Sequence, residues 1–215
     1  MPTKPIYFPI LFRRGKYSSQ KKYTGFREEI REDCQFRCGY CDIHEHEMGG
    51  EKSMTMDHFR PKSKYKNLIR DPFNLIWSCF TCNQLKGNDW PAFGKTSSIV
   101  GKVGYIDPFI ENRSSYYDIQ VNGRLRPLKD PADYMIQMLA LDRPFLRLVR
   151  QKRNVIYQSL QEFENYFLGE IFIEETLLKK LDMVDPNKKY LEERLEQLRR
   201  MLEIVERLDR IFQLP

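Results

Sequence analysis

No apolar run in this sequence approaches the roughly 20 residues needed to span a bilayer, and its mean hydropathy is −0.62. A membrane-spanning helix is therefore not expected. The sequence shows no internal repeat and no low-complexity tract, which sets aside repeat arrays and unstructured linkers. Its opening stretch, MPTKPIYFPILFRRGKYSSQ, has only a short apolar part. Prolines break that part and no small-residue cleavage site follows it, so no signal peptide is read and the cytoplasm is the expected location. Cysteine is scarce, with five in 215 residues, yet four of the five stand in two C-x2-C pairs.

The remaining composition is that of a folded domain. Hydrophobic residues make up 41% of the chain, enough for one large domain or two small ones. The net charge is +6 and the sequence pI about 9.0. The charge is unevenly spread. Residues 1–130 hold 22 Lys/Arg against 15 Asp/Glu, whereas residues 131–215 hold 14 against 15. The basic excess thus belongs to the part with the cysteines. Such a field favours a polyanion such as nucleic acid, with a plain solvated basic surface as the alternative.

Three segments follow from the pattern. Residues 1–25 are basic, contain proline and tyrosine, and read as irregular. Residues 26–130 contain the cysteines. Within them FREEIREDCQF (26–36) reads as a short helix, because Phe26, Ile30 and Cys34 recur at a helical spacing. Ser53 to His58 and Asp71 to Ser78 read as extended pieces, and residues 83–89 as the start of a helix that Pro91 ends. Tyr116 to Val121 reads as a strand before the turn Asn122-Gly123. Residues 131–215 read as helical, with a break at Asp185-Pro186-Asn187. The last helix carries a stripe of Leu191, Leu195, Leu198, Leu202 and Val205, which packs on another helix either within the chain or in a partner.

Cys38 and Cys41 are separated by thirty-seven residues from Cys79 and Cys82. Two such knuckles can give four thiolates to one tetrahedral zinc. In a reducing compartment they read as metal ligands and not as disulfides. Four soft ligands close the coordination shell, which suits a structural metal. Cys34, the fifth, reads as a core residue. His44 and His46 lie near the first knuckle, either as alternative ligands or in a solvated loop.

Asp57-His58 and Asn74 lie between the knuckles, and Asn83 directly follows the second. The strings MTMDHFRPKS, DPFNLIWSC and CFTCNQLKGNDWP together resemble the HNH, or ββα-metal, nucleases over roughly residues 34–91. Cutting a phosphodiester needs a water, a base to deprotonate it, and a cation to stabilise the developing charge. By the resemblance, His58 is the general base, a role an imidazole can fill near neutral pH. Asp57 and Asn83 would hold a catalytic Mg2+ or Mn2+ through oxygen, and Asn74 would brace the loop that carries the base. Many members have histidine where Asn83 stands. Regular strand alternation would point Asp57 and His58 to opposite faces. Arg60, Lys62, Lys64, Lys66 and Lys86 flank the site and read as phosphate contacts. Trp77 and Trp90 read as core.

The D-H-F-R-P-K-S string, the early C-x2-C and the Leu/Arg-rich tail also resemble a narrower group, the HNH subunits of Septu- and retron-type anti-phage systems. That resemblance implies an ABC-type ATPase partner, docked through residues 131–215, and a phage or host nucleic acid as substrate, DNA first and RNA second. The expected fold class is α+β, with a ββα-metal core on a four-cysteine zinc knuckle and a mainly helical C-terminal region. Two other classes compete with a metal-dependent endonuclease. One is a non-catalytic zinc module that binds nucleic acid, and the other is an assembly adaptor.

Overall fold

A computed structural model of the chain describes residues 8–19, 22–181 and 185–213, with side chains through 208. Both ends of the chain, and so parts of the basic N-terminal segment and of the helical region, lie outside the described residues. The fold is α+β, and the chain divides after Gln151 into two compact units.

The first unit centres on a β-hairpin and one helix. Strand β1 (Met54–His58) pairs antiparallel with β2 (Leu75–Cys79) in the register Met54–Cys79, Met56–Trp77 and His58–Leu75. All five residues of β2 are buried. A strand of that kind must be covered on both faces, which is why LIWSC reads as an unbroken apolar run and not as an alternation. Helix α1 (Arg27–Asp33) packs on β2, and α2 (Phe80–Lys86) packs on both strands. The expected helix at 83–89 thus begins earlier, directly after β2. Its N-cap is Cys79, whose Sγ accepts the backbone N–H of Cys82 at 3.4 Å. A sulfur cap is not among the usual N-cap residues, so the boundary gave no ordinary signal.

Two short hairpins complete the sheet structure, β3 (Ile99–Val100) with β4 (Val103–Gly104) and β5 (Tyr117–Ile119) with β6 (Leu125–Pro127). The turn between β5 and β6 needs its glycine. Gly123 has φ +74°, and a Cβ there would collide with the carbonyl oxygen of Arg147. Helix α3 (Ala132–Met138) and the first turns of α4 (Pro144–Leu178) also belong to this unit. Met135, Leu139, Leu141 and Leu146 join the same core as Trp77, Trp90 and the cysteines.

The N-terminal segment has no regular structure between residues 8 and 19, but its arginines are anchored. The Arg13 guanidinium donates to the carbonyls of Pro72 and Leu75, both at 3.0 Å, and lies over the Phe109 ring. Arg14 pairs with Asp33 and Glu32, each at 2.8 Å. These two basic residues of the segment are thus used internally.

The second unit is a helical hairpin of α4 from Lys152 onward and α5 (Asn187–Gln213). Leu160 and Phe167 pack against Leu198 and Val205, with Ile156, Ile171 and Leu202 around them. The leucine stripe of the last helix therefore finds its partner within the chain. Arg194 ties the helices together through Glu170 and Glu174, and Arg199 does so through Glu175.

Candidate functional site

The four knuckle cysteines converge. Their sulfurs all lie within 4.8 Å of one another, and all four residues are buried. Cys41 Sγ and Cys79 Sγ stand 3.8 Å apart. Zn–S bonds of about 2.3 Å at tetrahedral angles require sulfurs about 3.8 Å apart, so the cluster fits a structural zinc. The first knuckle is a tight turn, with Cys38 N–H on the Ile43 carbonyl and Asp42 N–H on the Cys38 carbonyl, both at 2.9 Å. Its Gly39 N–H reaches the Trp77 carbonyl on β2 at 2.9 Å. Arg113 holds the same turn from behind, donating to the Gly39 carbonyl at 3.0 Å.

Sequence reasoning missed Arg143. It lies just ahead of α4, and its guanidinium points at three of the sulfurs. The nitrogens stand 3.5 Å from Cys79 Sγ, 3.7 Å from Cys82 Sγ and 3.8 Å from Cys41 Sγ. A zinc with four thiolates would carry a net charge of −2, and this half-buried guanidinium is a natural counter-charge for it. A lone arginine ahead of a helix gives no signal in sequence, because its partner lies more than sixty residues away.

Cys34 is a core residue. Its sulfur accepts the Trp77 N–H at 3.3 Å, and burial pushes its thiol up to about 12. His44 and His46 stand outside the sulfur cluster. His44 Nδ1 instead caps a short turn by accepting the His46 N–H at 3.2 Å. Burial, then the charge of Arg37, lowers His44 to about 4.

Asp57 and His58 end β1 and are both buried. They meet different neighbours, as strand alternation requires. Asp57 Oδ2 accepts the Tyr40 hydroxyl at 2.7 Å and pairs with Lys86 Nζ at 3.0 Å. No described side chain donates to its other oxygen. Burial, then the charge of Asp57, raises Tyr40 well above the ordinary phenol, so it stays a donor. His58 Nε2 lies 2.9 Å from the Ile69 carbonyl. A carbonyl only accepts, so Nε2 carries the proton, and in the neutral imidazole Nδ1 is the nitrogen with the free lone pair. The Tyr23 ring packs edge-on against the imidazole, with centroids 4.9 Å apart.

Asn74 closes the loop between the two strands. Its Oδ1 accepts the Arg60 N–H at 2.9 Å, its Nδ2 donates to the Arg60 carbonyl at 3.0 Å, and its backbone carbonyl accepts the Phe59 N–H at 2.8 Å. One buried amide thereby pins both ends of residues 59–74, the loop that also supplies the Ile69 carbonyl to His58. Asn83 lies on α2 three residues before Lys86, and the two are neighbours along the helix surface.

Lys86 is not a surface phosphate contact. Its side chain is fully buried, held by Asp57 and by the His58 carbonyl at 3.0 Å, with the Tyr40 and Tyr105 rings nearby. The expectation followed its charge, and the helix turns that charge inward. The other four basic residues stay on the 60–70 loop. Lys62, Lys64 and Lys66 are exposed, and Arg60 is half-buried over Tyr65 and Trp90. Arg70, exposed on the same loop, extends the basic row and was not singled out. Trp77 and Trp90 are core residues.

Residues 38–89 match the family model described as HNH endonuclease. No curated protein matches the chain. The matched segment spans both knuckles, both strands of the central hairpin and α2. No helix among the described residues is long and apolar enough to cross a membrane.

Proposed function

We propose that this chain is a metal-dependent endonuclease that hydrolyses phosphodiester bonds in nucleic acid, DNA first and RNA second. The observation that carries this reading is the state of His58. Its Nε2 is tied to the Ile69 carbonyl, which leaves Nδ1 as an acceptor at the end of β1. A neutral imidazole held this way offers Nδ1 to take a proton from water. Asn74 holds the loop that fixes the imidazole. Asp57 and Asn83 offer the hard oxygen donors that Mg2+ or Mn2+ prefers. Such an ion, when bound, would supply positive charge to the phosphate and the leaving oxygen. Lys86 and Tyr40 hold the Asp57 carboxylate in place beside α2. The 60–70 loop would lie along the phosphate backbone, positioning the strand without reading its sequence.

The experiment compares wild type with His58→Ala on plasmid DNA and on total RNA, with Mg2+ or Mn2+. The expected result is metal-dependent cutting that falls by about 10²–10⁴ in the variant, with zinc content unchanged. Equal cutting by both proteins would remove His58 from the mechanism.

A second reading has its own support. Lys86 already neutralises Asp57, which suits a zinc module that binds nucleic acid without cutting it. Retained affinity with no cleavage in any divalent metal would favour it. The resemblance to anti-phage HNH subunits supports a role as the nuclease effector of a defence complex with an ABC-type ATPase, docked through the helical hairpin. Activity that requires a co-expressed ATPase would support that assignment.

A further inference from the structure

The helical hairpin keeps a second apolar face that its own core does not use. At 100° per residue, Val155, Phe163, Tyr166, Ile173 and Leu177 fall within a stripe about 80° wide on α4, beside the buried stripe of Leu160 and Phe167. On α5, Tyr190, Met201, Ile204 and Leu208 form a stripe of similar width beside Leu198 and Val205. These nine side chains are between 39% and 62% exposed.

Both stripes lie on the same side of the hairpin. The connection between α4 and α5 is short, so the helices run antiparallel. Two right-handed helices running in opposite directions wind in opposite senses about their common contact. Stripes displaced the same way in sequence phase therefore face the same way in space. The ion pairs agree. Arg194–Glu170 borders these stripes, and Arg199–Glu175 closes the opposite side.

We propose that this face pairs with the same face of a second copy of the chain to form a four-helix bundle. The area supports it, because nine such side chains at about half exposure present on the order of 1,000 Å². A standard stable interface needs roughly 800 Å² per partner, and the largest apolar patch on a typical monomer is about 300–600 Å². Charge supports it as well. From Lys152 on, α4 carries five carboxylates and two cations, whereas α5 carries seven cations and six carboxylates. A two-fold axis through the face lays α4 of each copy over α5 of the other, so the net-acidic α4 meets the slightly basic α5 twice and avoids its own copy. The pairing does not depend on the nuclease reading and can fail without touching it.

The test is the mass of the zinc-loaded full chain in solution, by sedimentation velocity across a wide concentration range. Wild type should run at twice its 25.9 kDa. Tyr166→Glu/Ile204→Glu should run at the single-chain mass with unchanged helical circular dichroism, since both positions are more than half exposed. Tyr166→Phe/Ile204→Val should remain paired. Should the double glutamate variant lose helicity, Tyr166→Glu alone provides the readout. A wild type that stays at the single-chain mass at every concentration would overturn the pairing and leave the face to a different protein. A dimer that survives the glutamates would overturn it by placing the contact elsewhere.

Discussion

Replacing Lys86 by methionine shortens the unbranched side chain by one atom and removes its charge. In the native protein the ammonium lies 3.0 Å from Asp57 Oδ2 and 3.0 Å from the His58 carbonyl, with no solvent exposure of its own. Methionine fills nearly the same volume, so the packing cost is small. The electrostatic cost is large, because Asp57 is left as a buried charge without its cation. Breaking such a pair from one side costs about 3–5 kcal/mol, or a fall in Tm on the order of 6–20 °C for a chain of this length. Urea denaturation of zinc-loaded protein, followed by the fluorescence of the buried Trp77 and Trp90, measures it. Lys86→Met/Asp57→Asn should recover part of the loss, with a coupling of about 1–3 kcal/mol between the two sites. Added Mg2+ or Mn2+ should stabilise Lys86→Met more than wild type, because a cation beside Asp57 replaces the missing ammonium. A Lys86→Met protein within about 1 kcal/mol of wild type, with no coupling to Asp57, would refute the reasoning.

Three further outcomes are expected. Arg143→Ala should release zinc to a chelator about tenfold faster than wild type, since outer-shell partners of a metal site are worth about 10–100-fold in affinity; an unchanged rate would sever Arg143 from the metal. His44 is held neutral by burial, with its folded value at about 4 against 6.5 in the unfolded chain, so the unfolded state binds the extra proton between those values and wild type should lose stability as pH falls through that window. His44→Asn, which keeps a capping oxygen, should lose less over the same window, and identical pH slopes would count against the argument. Replacing Lys62, Lys64 and Lys66 by alanine should lower the slope of log affinity against log salt by up to about 0.9 per lost contact on duplex DNA; fluorescence anisotropy in several salt concentrations reads it, and an unaltered slope would remove the loop from the binding surface.

The parts of this molecule written locally were legible in the sequence. The C-x2-C pairs imply a shared metal because a knuckle is a short turn, and the five sulfurs sort into four ligands and one core residue as their spacing suggests. The α+β class combined the ββα core that the HNH resemblance implies with the helical period that begins near residue 131. The C-terminal leucine stripe announced a helical partner, which the hairpin supplies. The unreadable parts depend on distant contacts. Lys86 looks like surface charge until α2 turns it onto Asp57. Arg143 is an ordinary basic residue until the segment before α4 brings it to the sulfurs. The early start of α2 rests on a sulfur cap that no helix propensity encodes.

Tyr40 stands inside the first knuckle, between Cys38 and Cys41 in the chain, and its hydroxyl holds Asp57. One residue therefore joins the scaffold metal site to the carboxylate proposed for catalysis. Because zinc binding and folding of such knuckles are a single equilibrium, the orientation of Asp57 inherits the zinc occupancy. If the proposed nuclease reading holds, the two metal requirements multiply instead of adding, and the cutting-competent fraction is the product of two occupancies. On that reading, zinc scarcity or thiol oxidation would silence the protein as completely as loss of the proposed catalytic ion. It would do so even with His58 still in place.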